Sequence, residues 1–228
     1  MHTAVSAPPA PSPERATRSF GILSTFPPTS CGIATFSAAL AAGLIAAGAS
    51  VDVVRVGASP ELEDVLVVAA LGGPDRSTRA TAVDALNADD VVIVQHEYGL
   101  FEGADGESVI ELMAAIDAPI VVVAHTVLSH PSANQRRVLE HVCAAADAVV
   151  VMTETARTRL LDGYSVEHTK VSLIPHGAAT PAAAPVVESR RNGDPARVLT
   201  WGLLGPGTGI EWAIDALDEL RDVDPHPE

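Results

Sequence analysis

Residues 91–125 read Val91-Val92-Ile93-Val94-Gln95-His96-Glu97-Tyr98-Gly99-Leu100-Phe101-Glu102-Gly103-Ala104-Asp105-Gly106-Glu107-Ser108-Val109-Ile110-Glu111-Leu112-Met113-Ala114-Ala115-Ile116-Asp117-Ala118-Pro119-Ile120-Val121-Val122-Val123-Ala124-His125. Two short aliphatic runs bracket a segment with helical spacing. The runs over 91–95 and 119–124 show no polar alternation, so strands there are buried on both faces. Residues 96–106 form the loop after the first run, and 107–116 a helix. Strand, loop, helix, strand in this order is a βαβ unit, and its two strands are parallel.

The same alternation continues in both directions. Upstream, strands are predicted over residues 19–25, 51–56 and 65–71, and helices over 33–47 and 78–86. Gly48 stops the first of these helices. Downstream, a helix runs over 131–146 with Pro131 at its start, followed by a strand over 148–152, a helix over 155–161 and a strand over 171–174. The fold class is therefore α/β, a Rossmann-like doubly wound parallel sheet. Strand 1 should lie beside strand 4, with the chain winding outward both ways. Ligands in such sheets bind at the carboxyl edge where the strand order reverses. Three loops should meet there: 26–32, 96–103 and 125–131. Residues 197–217 begin a second, incomplete unit: a strand, the glycine turn Gly202-Leu203-Leu204-Gly205-Pro206-Gly207-Thr208-Gly209, and one helix. The expected organisation is a disordered tail over 1–18, a Rossmann-like domain over 19–178, an Ala/Pro-rich linker over 179–195 and the start of another domain over 196–228. One strand and one helix cannot bury Trp201, Leu203, Ile210, Trp212, Ile214 and Leu217, so this tail should pack on the first domain, order poorly or mediate association.

The 228 residues carry a formal net charge of −15, which argues against nucleic acid or anionic membrane as a partner of the bulk surface. Lys170 is the only lysine in the sequence. Cys31 and Cys143 have no metal-ligand spacing, and they fit a reducing, cytoplasmic compartment better than a disulfide framework. No run reaches the ~18 apolar residues of a membrane span, and the N-terminus lacks the order of a signal peptide.

Several motifs could carry chemistry. The turn over 202–209 has phosphate-loop glycines but no lysine after them, which excludes a nucleotide triphosphatase of that type. It is not a dinucleotide fingerprint either. It remains a helix N-terminus with free backbone N–H groups, a generic anion site or simply a tight turn. In the loop over 26–32, Pro27 and Pro28 stiffen the entry, and Gly32 allows close approach ahead of a helix N-terminus. His96 and His125 each end a buried strand, and His96 is followed by Glu97. Imidazole at this edge can hydrogen-bond sugar hydroxyls or phosphate, or move protons. His130 lies nearby. No HExxH spacing and no zinc pattern is present, and no Gly-x-Ser-x-Gly elbow supports a hydrolase. Arg136-Arg137 reads as a solvated helix face.

Four ordered segments carry a family resemblance: Gln95-His96-Glu97-Tyr98-Gly99-Leu100-Phe101, Ala124-His125-Thr126-Val127-Leu128, Ile174-Pro175-His176-Gly177-Ala178, and residues 202–213. Over residues 20–228 the chain resembles the GT-B glycosyltransferases of family 4, in particular a bacterial subgroup. The resemblance implies two Rossmann-like domains across a cleft, the first binding acceptor and the second a nucleotide-sugar donor. It implies a retaining hexosyltransferase of mannosyl or glucosyl type, with no cofactor and no bound metal. His125 would be the catalytic residue that reaches the transferred sugar. Pro28, Ser30, Gly32, His96 and Glu97 would bind substrate, and Gly205, Gly207, Thr208 and Gly209 the donor diphosphate. Pro175–Gly177 would be the hinge. The implied partners are a sugar or glycolipid acceptor and, given a donor domain, a nucleotide-sugar, with peripheral contact at the inner membrane face. Two departures stand out. Thr208 occupies the place where the family usually has lysine, which would neutralise leaving-group charge. The subgroup's Phe-Gly-Gly is here Phe101-Glu102-Gly103. With one strand and one helix of the donor domain, this chain is expected to be inactive alone. The alternative is a non-catalytic sugar-binding or regulatory module on the same half-fold.

Overall fold

The computed structural model describes residues 17–57, 64–72, 76–177, 198–200 and 209–220. The chain divides into two compact units, Met1–Gly177 and Ala178–Glu228. The first unit is a seven-stranded, all-parallel sheet with helices between its strands. In chain order these are β1 (Ser19–Ser24), α1 (Gly32–Ala46), β2 (Ser50–Val56), β3 (Val67–Leu71), α2 (Arg76–Leu86), β4 (Val91–His96), α3 (Ser108–Met113), β5 (Ile120–Ala124), α4 (Ala133–Ala145), β6 (Ala148–Val151), α5 (Glu154–Gly163) and β7 (Val171–Leu173). The strand order is β3-β2-β1-β4-β5-β6-β7. The expected adjacency of strands 1 and 4 is present, with Phe20 opposite Val91 and Leu23 opposite Val94. The order reverses between them, which creates the crevice.

The pleat sorts side chains onto two unequal faces. Leu23, Val54, Val92, Val94, Ile120, Val122, Ala124, Val149 and Val151 face one core, completed by Leu86 of α2, Leu112 and Met113 of α3, Leu139 and Val142 of α4 and Leu160 of α5. Ile22, Val51, Val53, Val67, Ile93 and Val123 face a smaller core, to which α1 contributes Ala41, with Phe36, Leu40 and Leu44 partly buried against it. Among the described residues of this unit, one face is thus covered by four helices and the other by one.

Local chemistry sets the ends of the helices. Cys31 caps α1, its Sγ accepting the Ala34 N–H at 3.3 Å. The expected helix start at Pro131 shifts to Ala133, because Ser132 and Gln135 form a reciprocal capping box and leave Pro131 outside it. β4 runs one residue further than the aliphatic pattern predicts, so His96 ends the strand and does not open the loop.

In the second unit the described residues include α6 (Ile210–Glu219), entered through Gly209 at a left-handed φ of 73°. Trp212 is 75% exposed and Ile214 62%. Of the strand expected before the glycine turn, residues 198–200 are described and are not in a strand; residues 197 and 201, the turn up to 208, the linker over 179–195 and the tail over 1–16 lie outside the described residues. Among the described residues no helix is long and apolar enough to cross a membrane.

Candidate functional site

The carboxyl ends of β1, β4 and β5 present their loops at the reversal of strand order. After β1, Thr29 N–H bonds the Phe26 carbonyl at 3.1 Å and Cys31 N–H the Thr29 carbonyl at 3.0 Å. This double turn leaves Pro28, Ser30 and Gly32 exposed, while Phe26 anchors the loop in the smaller core. A Cβ at Gly32 would meet nothing within 4 Å, so the space in front of the first turn of α1 is open. Below the loop, the buried hydroxyls of Ser24 and Ser37 lie 2.7 Å apart and tie the end of β1 to α1.

His125 follows β5, and its N–H bonds the His96 carbonyl at 3.0 Å, which extends the ladder by one step. It stands on the face that carries α1. There its ring meets Phe36 edge-on at 5.1 Å between centroids, and Nε2 lies 2.7 Å from Gln95 Oε1. Phe36 meets His176 in the same way on another side, at 5.0 Å. The two strand-end histidines were expected side by side. The pleat separates them: Gln95 shares a face with His125, while His96 points to the opposite core. His96 is 1% exposed, packs against Tyr98 at 5.3 Å, and has no partner for Nδ1 among the described residues. Glu97, beyond the strand, joins the second loop to the third. Its Oε2 accepts the Thr126 hydroxyl at 2.5 Å and its Oε1 the Tyr98 N–H at 3.0 Å.

Burial pushes His96 down to about 4, with the neighbouring His125 adding to the effect. His125 is also lowered, mainly by burial; the Glu97 carboxylate opposes this and His176 reinforces it. At neutral pH both rings are uncharged. The site therefore offers hydrogen-bonding groups of fixed direction, and Glu97 supplies its negative charge.

The loop over 97–107 is a fixed wall. Tyr98 and Phe101 are buried in the larger core. Asn134 of α4 donates to the Ala104 carbonyl at 3.2 Å and to Asp105 Oδ2 at 2.7 Å. Gly106 has φ 76°, and a Cβ there would lie 2.9 Å from the Tyr98 carbonyl oxygen, so no side chain fits. Arg136 and Arg137 are exposed, as the reading of a solvated helix face expects, and both also make contacts. Arg137 bonds Glu107 and Asn134, and Arg136 bonds the Gly163 carbonyl and stacks over Tyr164 at 5.0 Å. His130 is exposed, with Nδ1 3.1 Å from the Ser129 hydroxyl. Of the diphosphate candidates, Gly205, Gly207 and Thr208 lie outside the described residues, and Gly209 caps α6 in the second unit. Among the described residues no three His, Cys, Asp or Glu side chains gather as a metal-binding group. Gln95, absent from the sequence-level candidates, is the residue that holds His125. Its signal was a polar side chain ending a buried strand, two positions before Glu97.

The profile of Glycosyltransferase Family 4 matches residues 31–180, more than half of the chain. No match was found among curated proteins. Solved structures of an α-glucosyltransferase are similar in part. One, in complex with UDP and a 13-mer DNA containing a HMU base, is 17% identical with a TM-score of 0.46, over 64% of this chain and 38% of that one. Another, in complex with UDP-glucose and DNA containing an abasic site, is 17% identical with a TM-score of 0.46, over 61% and 37%. A third, in complex with UDP, is 16% identical with a TM-score of 0.43, over 64% and 37%. The chain spans less than half the length of each of these structures.

Proposed function

The chain belongs to glycosyltransferase family 4, and on that premise we propose that it forms the acceptor-side half of a retaining, nucleotide-sugar-dependent hexosyltransferase of mannosyl or glucosyl type. The observation that carries this reading is His125, held by Gln95 and Phe36 at the reversal of strand order. In this reading His125 hydrogen-bonds the transferred sugar. Pro28, Ser30 and Gly32, exposed on the first loop, contact the acceptor. Glu97 fixes the second and third loops together and presents a carboxylate beside the sugar, while His96 supports the site from the opposite face. Gly205, Gly207, Thr208 and Gly209 belong to the turn that meets the donor diphosphate. The net charge of −15 favours a sugar or glycolipid acceptor over a nucleic acid. The described residues of the second unit form one helix, α6, and in this reading these 228 residues alone do not transfer sugar. No metal or cofactor has a role in this proposal.

The test is sugar transfer from UDP-glucose and GDP-mannose to a panel of sugars and glycolipids, with this chain alone and with a family 4 donor domain joined after Gly177. Transfer by the joined protein, lost about 100-fold or more in His125→Ala, is the expected result. Robust transfer by the chain alone overturns the claim of incompetence. Absence of transfer in both, together with calorimetric binding of a sugar, favours the non-catalytic module, for which Thr208 in place of a cation already speaks.

A further inference from the structure

Gln95 is fully buried as the penultimate residue of β4, after four aliphatic positions on that strand. Its Oε1 lies 2.7 Å from His125 Nε2, and its own Nε2 has no partner among the described residues. A buried amide with an unsatisfied N–H is unfavourable, and an aliphatic residue of similar size would remove that orphan donor while keeping the packing. What glutamine supplies and an aliphatic residue cannot is a carbonyl aimed at the imidazole. We propose that Gln95 is a positioning residue for His125: its carbonyl accepts the Nε2 proton, fixes the tautomer, and leaves Nδ1 as the ring's acceptor.

The consequence is a constraint on the ligand. A neutral imidazole has one donor and one acceptor nitrogen. With Nε2–H committed to Gln95, the ring can only accept at its other nitrogen, so it selects a ligand hydroxyl that donates. It does not stabilise a developing anion. Three further contacts hold the ring in that pose: Phe36 edge-on, the backbone bond from His125 N–H to the His96 carbonyl, and Thr126 tied to Glu97. The charged and titratable groups acting on the ring are Glu97, His176 and, across the sheet, His96. Glu97 is the only carboxylate among them, and its Oε2 is already shared with Thr126. The identification of the ligand hydroxyl as part of a sugar rests on the transferase reading; the geometry of the pair does not.

Ring-nitrogen NMR on the full 228-residue chain tests the pair with no sugar present, and His125→Gln assigns its signals. The expected wild-type result is a neutral ring protonated on Nε2, with a slowly exchanging proton. Gln95→Met should abolish that slow exchange. Gln95→Glu should keep the proton on Nε2 and raise the titration midpoint of His125 by about one unit or more, since a carboxylate replaces the amide at hydrogen-bond distance. A wild-type ring protonated on Nδ1 overturns the proposal. So does slow exchange that survives in Gln95→Met, or a midpoint unmoved in Gln95→Glu. Should sugar transfer never be found, these signals still decide the Gln95–His125 pair.

Discussion

The two faces of the sheet differ in depth and in the kind of side chain they carry. The face packed by α2, α3, α4 and α5 holds most of the buried side chains, including Leu112, Leu139 and Val142. The face under α1 holds a smaller cluster, together with Ser24, Ser37, Gln95, Phe36 and His125 of the candidate site. The larger core and the candidate site are thereby divided by the pleat. The thick face can be optimised for packing alone, while the thin face leaves the strand ends reachable from outside. Hydrophobic burial is roughly proportional to area, so the thick face should dominate folding energetics.

Four substitutions would sharpen or break that contrast. Leu139→Ala, at a fully buried position of α4, should cost about 2–5 kcal/mol by chemical denaturation. Leu44→Ala, in the partly buried stripe of α1, should cost less than half as much; equal losses would erase the distinction. Asp89 comes next, at the amino edge of the thick face. Burial, and then the Asp52 carboxylate, push it up to about 6 from an ordinary 3.8. Its folded-state value is raised, so the folded protein holds the proton more tightly. That contribution is complete below about pH 4 and is lost as pH rises through 6. Asp89→Asn should therefore gain about 1–3 kcal/mol at pH 7.5 and little at pH 4, read from melting curves across pH. The smallest effect belongs to the thin face. Ser37→Ala strands the buried Ser24 hydroxyl and should cost about 1–2 kcal/mol. The double variant Ser24→Ala/Ser37→Ala should recover most of this, because no polar atom is then left unpaired.

Much of the fold was legible because unbroken aliphatic runs have few alternatives. Val91–Val94 and Ile120–Val123 can only be doubly buried strands, and from them follow the parallel sheet and the meeting of β1 with β4. His125 was legible for the same reason, as the first polar residue after such a run. The roles of its neighbours were less so. His96 was grouped with His125 because both end strands, yet adjacent strand ends differ in parity, and pairing His96 with Ala124 places His125 one step on, across the pleat. Counting two residues back from Glu97 would have found Gln95. The capping box at Ser132 also outcompeted proline's preference for a first helical turn, since it satisfies two N–H groups where proline merely lacks one. The glycine turn over 202–209 lies outside the described residues but for Gly209, and a helix N-terminus is chemically generic until something sits on it.

The alternation along β4 has a consequence for how this gene can change. Substitution at Gln95 or His96 alters one contact at a time. Loss of a single codon anywhere in Val91–Val94 would instead exchange the two, presenting imidazole to Phe36 and carrying the amide into the core beside Tyr98. Insertions and deletions in this strand should therefore be far scarcer than point changes among functional descendants, while the connections beyond the opposite end of the sheet remain free to vary in length.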